Sequence, residues 1–352
     1  MPREGGIGLD ELTLAARNHG FPLEALEWDV TPIGLHYLLI HYDVPRVDPA
    51  AWQLTIDGAV SGARSVTLAE LTGMPQRTHR VTMECAGNGR ARLDPRPISQ
   101  PWLVHAVGTA EWSGVPLAAL LEPARLDARA VEVLFTGLDR GVDGGEEQAY
   151  QRSLAVEEAL SDGVLVATHM NGVPVPPQHG APARLVVPGW YGMTNVKWLT
   201  SITVLTEPFT GYQQRHAYRY RTVPEEPGRP VTRMLPRSLI RPPGIPDFMS
   251  RRRFVPSGTL TLAGRAWSGF APIVRVELSD DGGLSWHDAE VEPPVSPHAW
   301  QAWGWEWNAA SGAHVLCSRA TDDTGRSQPV TPEWNVGGYE VNAVHLVAVE
   351  VG

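Results

Sequence analysis

Cys85 stands in the run VTMECAGNGR and is one of two cysteines in 352 residues, so the thiols of this chain form no disulfide framework. A single cysteine with a purpose ligates a metal or attacks an electrophile, and either task needs the thiolate. Arg90, five residues on, places a fixed positive charge within reach of the sulfur, and a cation there is expected to lower the thiol pKa. Gly87 and Gly89 let the loop backbone come close to something large. Without these neighbours Cys85 would read as a buried structural cysteine, which is the reading for Cys317 in its strand-like run.

Other polar residues have the types that anion and cofactor chemistry uses. Arg17, Asn18 and His19 supply a cation, an amide and an imidazole in a row; taken alone they read as a polar surface loop. His179, Arg184 and Lys197 come from consecutive elements of one strand-rich stretch, with Gly180 and Pro182 shaping a turn. Asp139 ends a strand-like run, where an aspartate ordinarily forms a turn. Tyr218 and Tyr220 are phenols able to donate to a substrate oxygen and steady a proton. Trp102 offers a rigid cavity wall, and His105 either points away from it or adds a titratable group.

These residues must be held by elements that the hydrophobic pattern outlines. The run His79 to Met83 reads as a strand delivering Cys85 into its loop. Further strands are expected at 52–58, 131–137, 164–170 and 183–189, and helices at 66–74 and 153–163, each with Ser or Thr near its start and Gly near its end. That mixture is α+β. Between Val223 and Pro256 stand eight prolines, a density that excludes helix interiors and central strands and predicts an extended linker over 223–256. Short strands follow at 259–265, 273–279, 285–291, 300–307, 314–322 and 345–351, with Asp281, Gly282 and Gly283 as a hairpin turn. The spacing predicts an all-β immunoglobulin-like sandwich without the usual disulfide. Trp303, Trp305 and Trp307 alternate and share one face of a strand, which serves either the core or an interface.

Composition limits the function classes. The length suits two domains, read as 1–222 and 257–352 on either side of the linker, and 43% hydrophobic residues are enough for two cores. A formal charge of −10 lacks the basic excess of a nucleic-acid-binding surface. No uninterrupted apolar run is long enough to span a membrane, and the first residues show neither an apolar signal core nor twin arginines, so a cytoplasmic setting is expected.

ECAGNGR resembles the molybdenum-ligating loop of the sulfite oxidase family. Other segments match in the family's order: ARNHGFP (16–22), GTAEWSGVPL (108–117), MNGVPVPPQHGAPARLVVPG (170–189), NVKWL (195–199), WSGFAPIVRVELSDDGGLSW (267–286) and TPEWNV (331–336). The resemblance, to the heme-free bacterial type, implies a molybdopterin-binding domain followed by the sandwich and a homodimer formed through the latter. It implies one pterin dithiolene per molybdenum, Cys85 as the protein ligand, no heme, and oxidation of sulfite to sulfate by oxygen-atom transfer at a dioxo centre. It assigns the cofactor to Arg17, Asn18, His19, Asp139, His179, Arg184, Asn195, Val196 and Lys197. The sulfite-like anion and its chemistry fall to Arg17, Arg90, Lys197, Trp102 and Tyr218, with Tyr220 an alternative to Tyr218. Reoxidation requires an external acceptor, dioxygen or a cytochrome. The sequence departs from the family after Asn335, where Val336, Gly337 and Gly338 replace a Leu-Arg-Gly whose arginine helps hold substrate. That leaves open a reductase of a sulfoxide or similar oxo substrate and, in a different class, a metal-free binding module.

Overall fold

A computed structural model describes residues 6–352; residues 1–5, the start of the segment read for export signals, lie outside the described residues. Among the described residues no helix is long and apolar enough to cross a membrane. The chain is mixed α and β, mostly strands, and it is built as expected from a first domain and a sandwich.

Two five-stranded sheets make the first domain. One runs in the order Arg64–Thr67, Gln53–Gly58, Leu199–Leu205, Glu132–Asp143, Glu146–Ala155, with a single parallel pair between Gln53–Gly58 and Leu199–Leu205. The other pairs Arg77–Glu84, Val107–Pro116 and Leu165–Met170 antiparallel, and Leu165–Met170 also takes Val173–Pro174 and Arg184–Val186. Alternating Leu54, Ile56, Val133, Phe135 and Ile202 are fully buried and drive the first sheet onto its neighbours.

Arg77–Glu84 delivers Cys85 as the sequence suggests. The helix expected at 66–74 forms over Leu68–Gly73, where Thr67 and Glu70 exchange bonds in a capping box. The helix expected at 153–163 shrinks to one turn, Val156–Ala159, because residues 146–155 pair with 132–143 as a hairpin. Tertiary strand pairing overrides helix propensity there.

The second domain packs a four-stranded sheet, Arg237–Ile240, Gly258–Trp267, Gln301–Ala309 and Glu290–Val291, on a six-stranded one that includes Ile273–Ser279, Gly312–Asp322 and Val347–Val351. The hairpin turn forms as expected, with positive φ at Gly282 and Gly283 and the Asp281 carboxylate accepting from the backbone N–H groups of Leu284 and Ser285. Trp303 and Trp307 are buried between the sheets and Trp305 is partly buried, so that face serves the core. Cys317 is buried, and burial pushes its thiol up to about 11.

The predicted linker over 223–256 is corrected. Arg237–Ile240 pairs with Gly258–Trp267, and Arg253–Val255 runs parallel to Val347–Val351, so this stretch already belongs to the sandwich. Pro236 precedes the proline-free RSLI segment and Pro242 follows it, while Pro230 and Pro246 stand only in two-residue strands, Arg229–Pro230 and Ile245–Pro246.

Candidate active site

Two cavities meet at Cys85. The first lies between the 36–41 segment and the two sheets. One side of it holds Arg184 and Lys197 together with His179, whose imidazole is kept neutral by burial. Arg184 is buried and points its guanidinium at the carbonyls of His179 (2.9 Å) and Asn195 (3.0 Å), and over the face of Trp112. The Lys197 Nζ donates to the carbonyls of Leu39 (2.8 Å) and Gln178 (3.2 Å). Neither cation pairs with a carboxylate among the described residues. Burial, and then repulsion from Arg184, lowers Lys197 to about 7. Burial raises Asp139 to about 6 against the pull of Lys197, and one of its carboxylate oxygens has no partner. Unpaired buried charge of this kind is costly unless a ligand completes it.

The second cavity opens outward from Cys85. Arg90 enters it buried, its Nε donating to the Gly337 carbonyl (2.9 Å) and its guanidinium lying 5.1 Å from the Tyr339 ring centre. Gly87 allows this fold-back, since a Cβ there would stand 2.6 Å from the guanidinium carbon. Trp102 walls the cavity with a buried indole N–H that bonds no oxygen or nitrogen and helps lower the Cys85 pKa. The net direction for Cys85 is nevertheless upward, because burial outweighs Arg90. The nearby cation expected to favour thiolate does not suffice alone, so a ligated metal must displace the proton.

Tyr218 lines both cavities, whereas Tyr220 lines neither and turns its hydroxyl to Glu333. A π-helix over Gln213–Ala217 immediately precedes Tyr218. Such irregular turns are frequent where a side chain must be aimed. The Tyr218 hydroxyl bonds His41 Nε2, and the imidazole stacks on Tyr150 at 4.6 Å. Burial holds His41 down at about 3, so the ring is neutral, and it keeps the Tyr218 phenol protonated.

Several predicted residues stand elsewhere. Arg17 is exposed, lines neither cavity, and donates to the carbonyls of Ile40, His41 and Tyr42, each at 2.8 Å. Asn18 fixes the same segment by accepting from the Ile40 N–H at 2.7 Å, and touches the outer cavity. His19 is exposed and bridges to Leu38 through its backbone. The run expected to contact cofactor therefore braces the 36–42 strap, from which His36, Tyr37, Leu39 and His41 line the inner cavity. Val196 is also corrected: it is buried in the first core, and its N–H and carbonyl are spent on Thr194 and Leu185. Asn195 lines the inner cavity while its amide oxygen accepts from the Val187 N–H. His105 lines neither cavity.

Sequence reasoning missed His41, Tyr339 and the partner of the cysteine loop. Two histidines framing the apolar run LHYLLIH were a usable signal for the first; nothing in the sequence marked the others. Glu84, the residue before Cys85, forms a buried ion pair with Arg237 of the sandwich (2.7 Å) and accepts from Trp267 Nε1 (2.9 Å) and Asn88 Nδ2 (3.0 Å). Arg92 donates to the Val344 carbonyl (2.6 Å), and the Glu340 N–H donates to the Ala86 carbonyl (2.9 Å). Gly89, at φ 98°, leaves room for the Val341 carbonyl. The second domain therefore forms one wall of the site.

A buried thiol between a cationic pocket and an arginine-bearing mouth agrees with the comparisons. Residues 41–213 match the oxidoreductase molybdopterin binding domain, and residues 233–352 the Mo-co oxidoreductase dimerisation domain. Chicken sulfite oxidase is 33% identical over 353 residues, covering 92% of this chain and 74% of its own. The chain belongs to the sulfite oxidase family of molybdenum–pterin oxidoreductases.

Rat mitochondrial sulfite oxidase is 33% identical over 347 residues, 92% of this chain; the match spans only 62% of the rat protein. Tomato NADH nitrate reductase is 30% identical over 365 residues, 95% of this chain and 39% of its own. The crystal structure of the sulfane dehydrogenase SoxCD from Paracoccus pantotrophus superposes with a TM-score of 0.81 at 25% identity, over 99% of this chain and 93% of that one. The protein is an enzyme of this family with a molybdopterin cofactor. Its residues fit that group: a thiol, two cations without carboxylate partners and an unpaired buried carboxyl oxygen face one cavity.

Proposed function

We propose that this enzyme oxidises sulfite, or a similar small anion, to the corresponding oxygenated product by oxygen-atom transfer, and passes the electrons to an external acceptor such as dioxygen or a cytochrome. The observation that carries the reading is Cys85 in the wall shared by the two cavities, with Arg90 in the outer one. When bound, the cofactor supplies a redox-active molybdenum centre that can transfer oxygen and take up two electrons. Arg184, Lys197 and His179 would hold its anionic end, Asp139 would accept from its pterin ring, and the Cys85 sulfur would be the protein ligand to the metal.

The chain's own groups prepare the outer cavity. Arg90 draws an anion toward Cys85 and offsets charge as it changes during reaction. Trp102 excludes water from one side. Neutral His41 can accept at Nε2 from Tyr218, which holds one proton at the phenol oxygen between the cavities and presents that oxygen's lone pairs to substrate. A homodimer through residues 233–352 and a cytoplasmic setting belong to the same proposal; light scattering and cell fractionation test them.

One observation favours reduction of a sulfoxide instead: Gly337 brings no cation to the mouth, as a neutral substrate would allow. Two assays separate the directions, sulfite with ferricyanide as acceptor and sulfoxide with a reduced viologen as donor. Cys85→Ser should abolish turnover in either while the far-UV spectrum is unchanged, since a hydroxyl is a harder and less acidic ligand. Wild-type rates in Cys85→Ser would exclude cysteine ligation.

A further inference from the structure

Alongside its polar groups the outer cavity carries an aromatic wall that a bare oxyanion does not require. Three charged side chains line it, Arg90, Arg221 and Asp143, leaving a formal excess of one positive charge. Arg90 is buried beside Cys85, whereas Arg221 is half-buried and its Nη2 is engaged by the His216 carbonyl at 3.0 Å. The Asp143 carboxylate, accepting from Gln213 at 3.2 Å, repels a second negative charge on any ligand. Around this single effective cation stand the rings of Trp102, Tyr212, Tyr218 and Tyr339 and the aliphatic chains of Leu39 and Ile40.

Tyr339 is fixed in that wall. Gly337 has no side chain, and a Cβ built there would overlap the Tyr339 ring, so the ring occupies the space a side chain at 337 would enter. The ring sits 5.3 Å from that of Tyr218 and under the Arg90 guanidinium. Cation and aromatic wall are thus adjacent, which suits a ligand whose charged end and apolar body are also adjacent.

We propose that the enzyme also oxidises organic sulfinates, R–SO2−, to sulfonates, with R an aromatic or branched alkyl group held by Tyr339, Tyr212 and Trp102. This rests on the oxygen-transfer reading above. A sulfinate keeps the sulfur lone pair of sulfite, carries one negative charge, and replaces one oxygen by carbon. In the net step water supplies the oxygen: R–SO2− and H2O give R–SO3−, two protons and two electrons. One sulfur–oxygen bond forms, two O–H bonds break, and two equivalents of ferricyanide take the electrons.

The test uses molybdenum-loaded enzyme with sulfite, methanesulfinate and benzenesulfinate under ferricyanide, with calorimetric titration of unreactive benzenesulfonate as a binding readout. Turnover of benzenesulfinate with kcat/KM at least tenfold above methanesulfinate, and saturable benzenesulfonate binding, are expected. Tyr339→Leu should lower the benzenesulfinate-to-sulfite ratio of kcat/KM by roughly threefold to tenfold, the worth of one aromatic contact. Tyr212→Ala should do the same should Tyr339→Leu fail to fold. Turnover of sulfite without sulfinates overturns this inference and spares the oxygen-transfer reading. Loss of both activities in loaded enzyme overturns the two together. A ratio unmoved by both substitutions refutes the aromatic wall as its cause.

Discussion

Replacing Arg237 by methionine tests whether the sandwich domain holds the cysteine loop. Arg237 and Glu84 have side chains about 1% exposed, and their Nε and Oε1 atoms lie 2.7 Å apart. Methionine keeps much of the volume and removes the charge. Glu84 then keeps two donors, Trp267 Nε1 and Asn88 Nδ2, and loses its buried cation. Breaking one side of a buried pair costs about 3–5 kcal/mol. The two surviving donors argue for the lower end, but Arg237 also gives up bonds to the carbonyls of Asn88 (3.1 Å) and Val341 (2.6 Å), each worth about 1 kcal/mol. A loss of about 4 kcal/mol is expected in urea unfolding followed by far-UV circular dichroism, large against the whole stability of a domain. Turnover should fall further than the folded fraction does, because Glu84 adjoins Cys85. The double variant Glu84→Gln/Arg237→Gln should be more stable than the sum of its singles, since no unpaired charge remains. A loss under about 1 kcal/mol for Arg237→Met, or strict additivity in the double variant, would refute the clamp.

Three further outcomes follow from the site. Lys197 is lowered to about 7 from an ordinary 10.5, so between those values the unfolded chain holds a proton that the folded cofactor-free protein lacks, and stability should rise with pH across that window; Lys197→Met should flatten the rise in thermal unfolding, and an unchanged slope would contradict the burial of the cation. Tyr218→Phe removes the hydroxyl bonded to His41 and should lower kcat at least tenfold with molybdenum content unchanged, whereas the same change at Tyr220 should leave kcat within about twofold. Gly337→Arg should not improve sulfite binding, because its Cβ overlaps the Tyr339 ring; a stability loss of about 1–3 kcal/mol in urea is expected, and a lower KM for sulfite in stable protein would show that Tyr339 moves aside.

What the sequence determined by itself is local. The strand 77–84 followed by a cysteine and two glycines, the capping box at Thr67 and Glu70, the turn at Asp281 to Gly283 and the alternating sandwich strands each rest on interactions within a few residues, so period and turn chemistry expose them. The shared order of motifs identified the cofactor, and Cys85, Arg90, Trp102, Asp139, His179, Arg184, Lys197 and Tyr218 do line the two cavities.

Tertiary structure decided what depends on distant partners. Arg17 has the chemistry of an anion ligand, yet its guanidinium is satisfied by three carbonyls 23 to 25 residues on, and His41 takes the inward place. Proline density around Arg237 suggested a linker because composition cannot reveal that four proline-free residues would pair with 264–267. The thiol pKa went up rather than down because desolvation depends on how much chain covers Cys85, and it packs in a core with Met83, Trp102 and Ala106. Packing of the second domain brought Tyr339, 254 residues away in sequence, beside Arg90 and Tyr218. Spacing along a chain limits which neighbours can meet locally; which buried charges find partners, and which remain free for a ligand, is settled only when the domains pack.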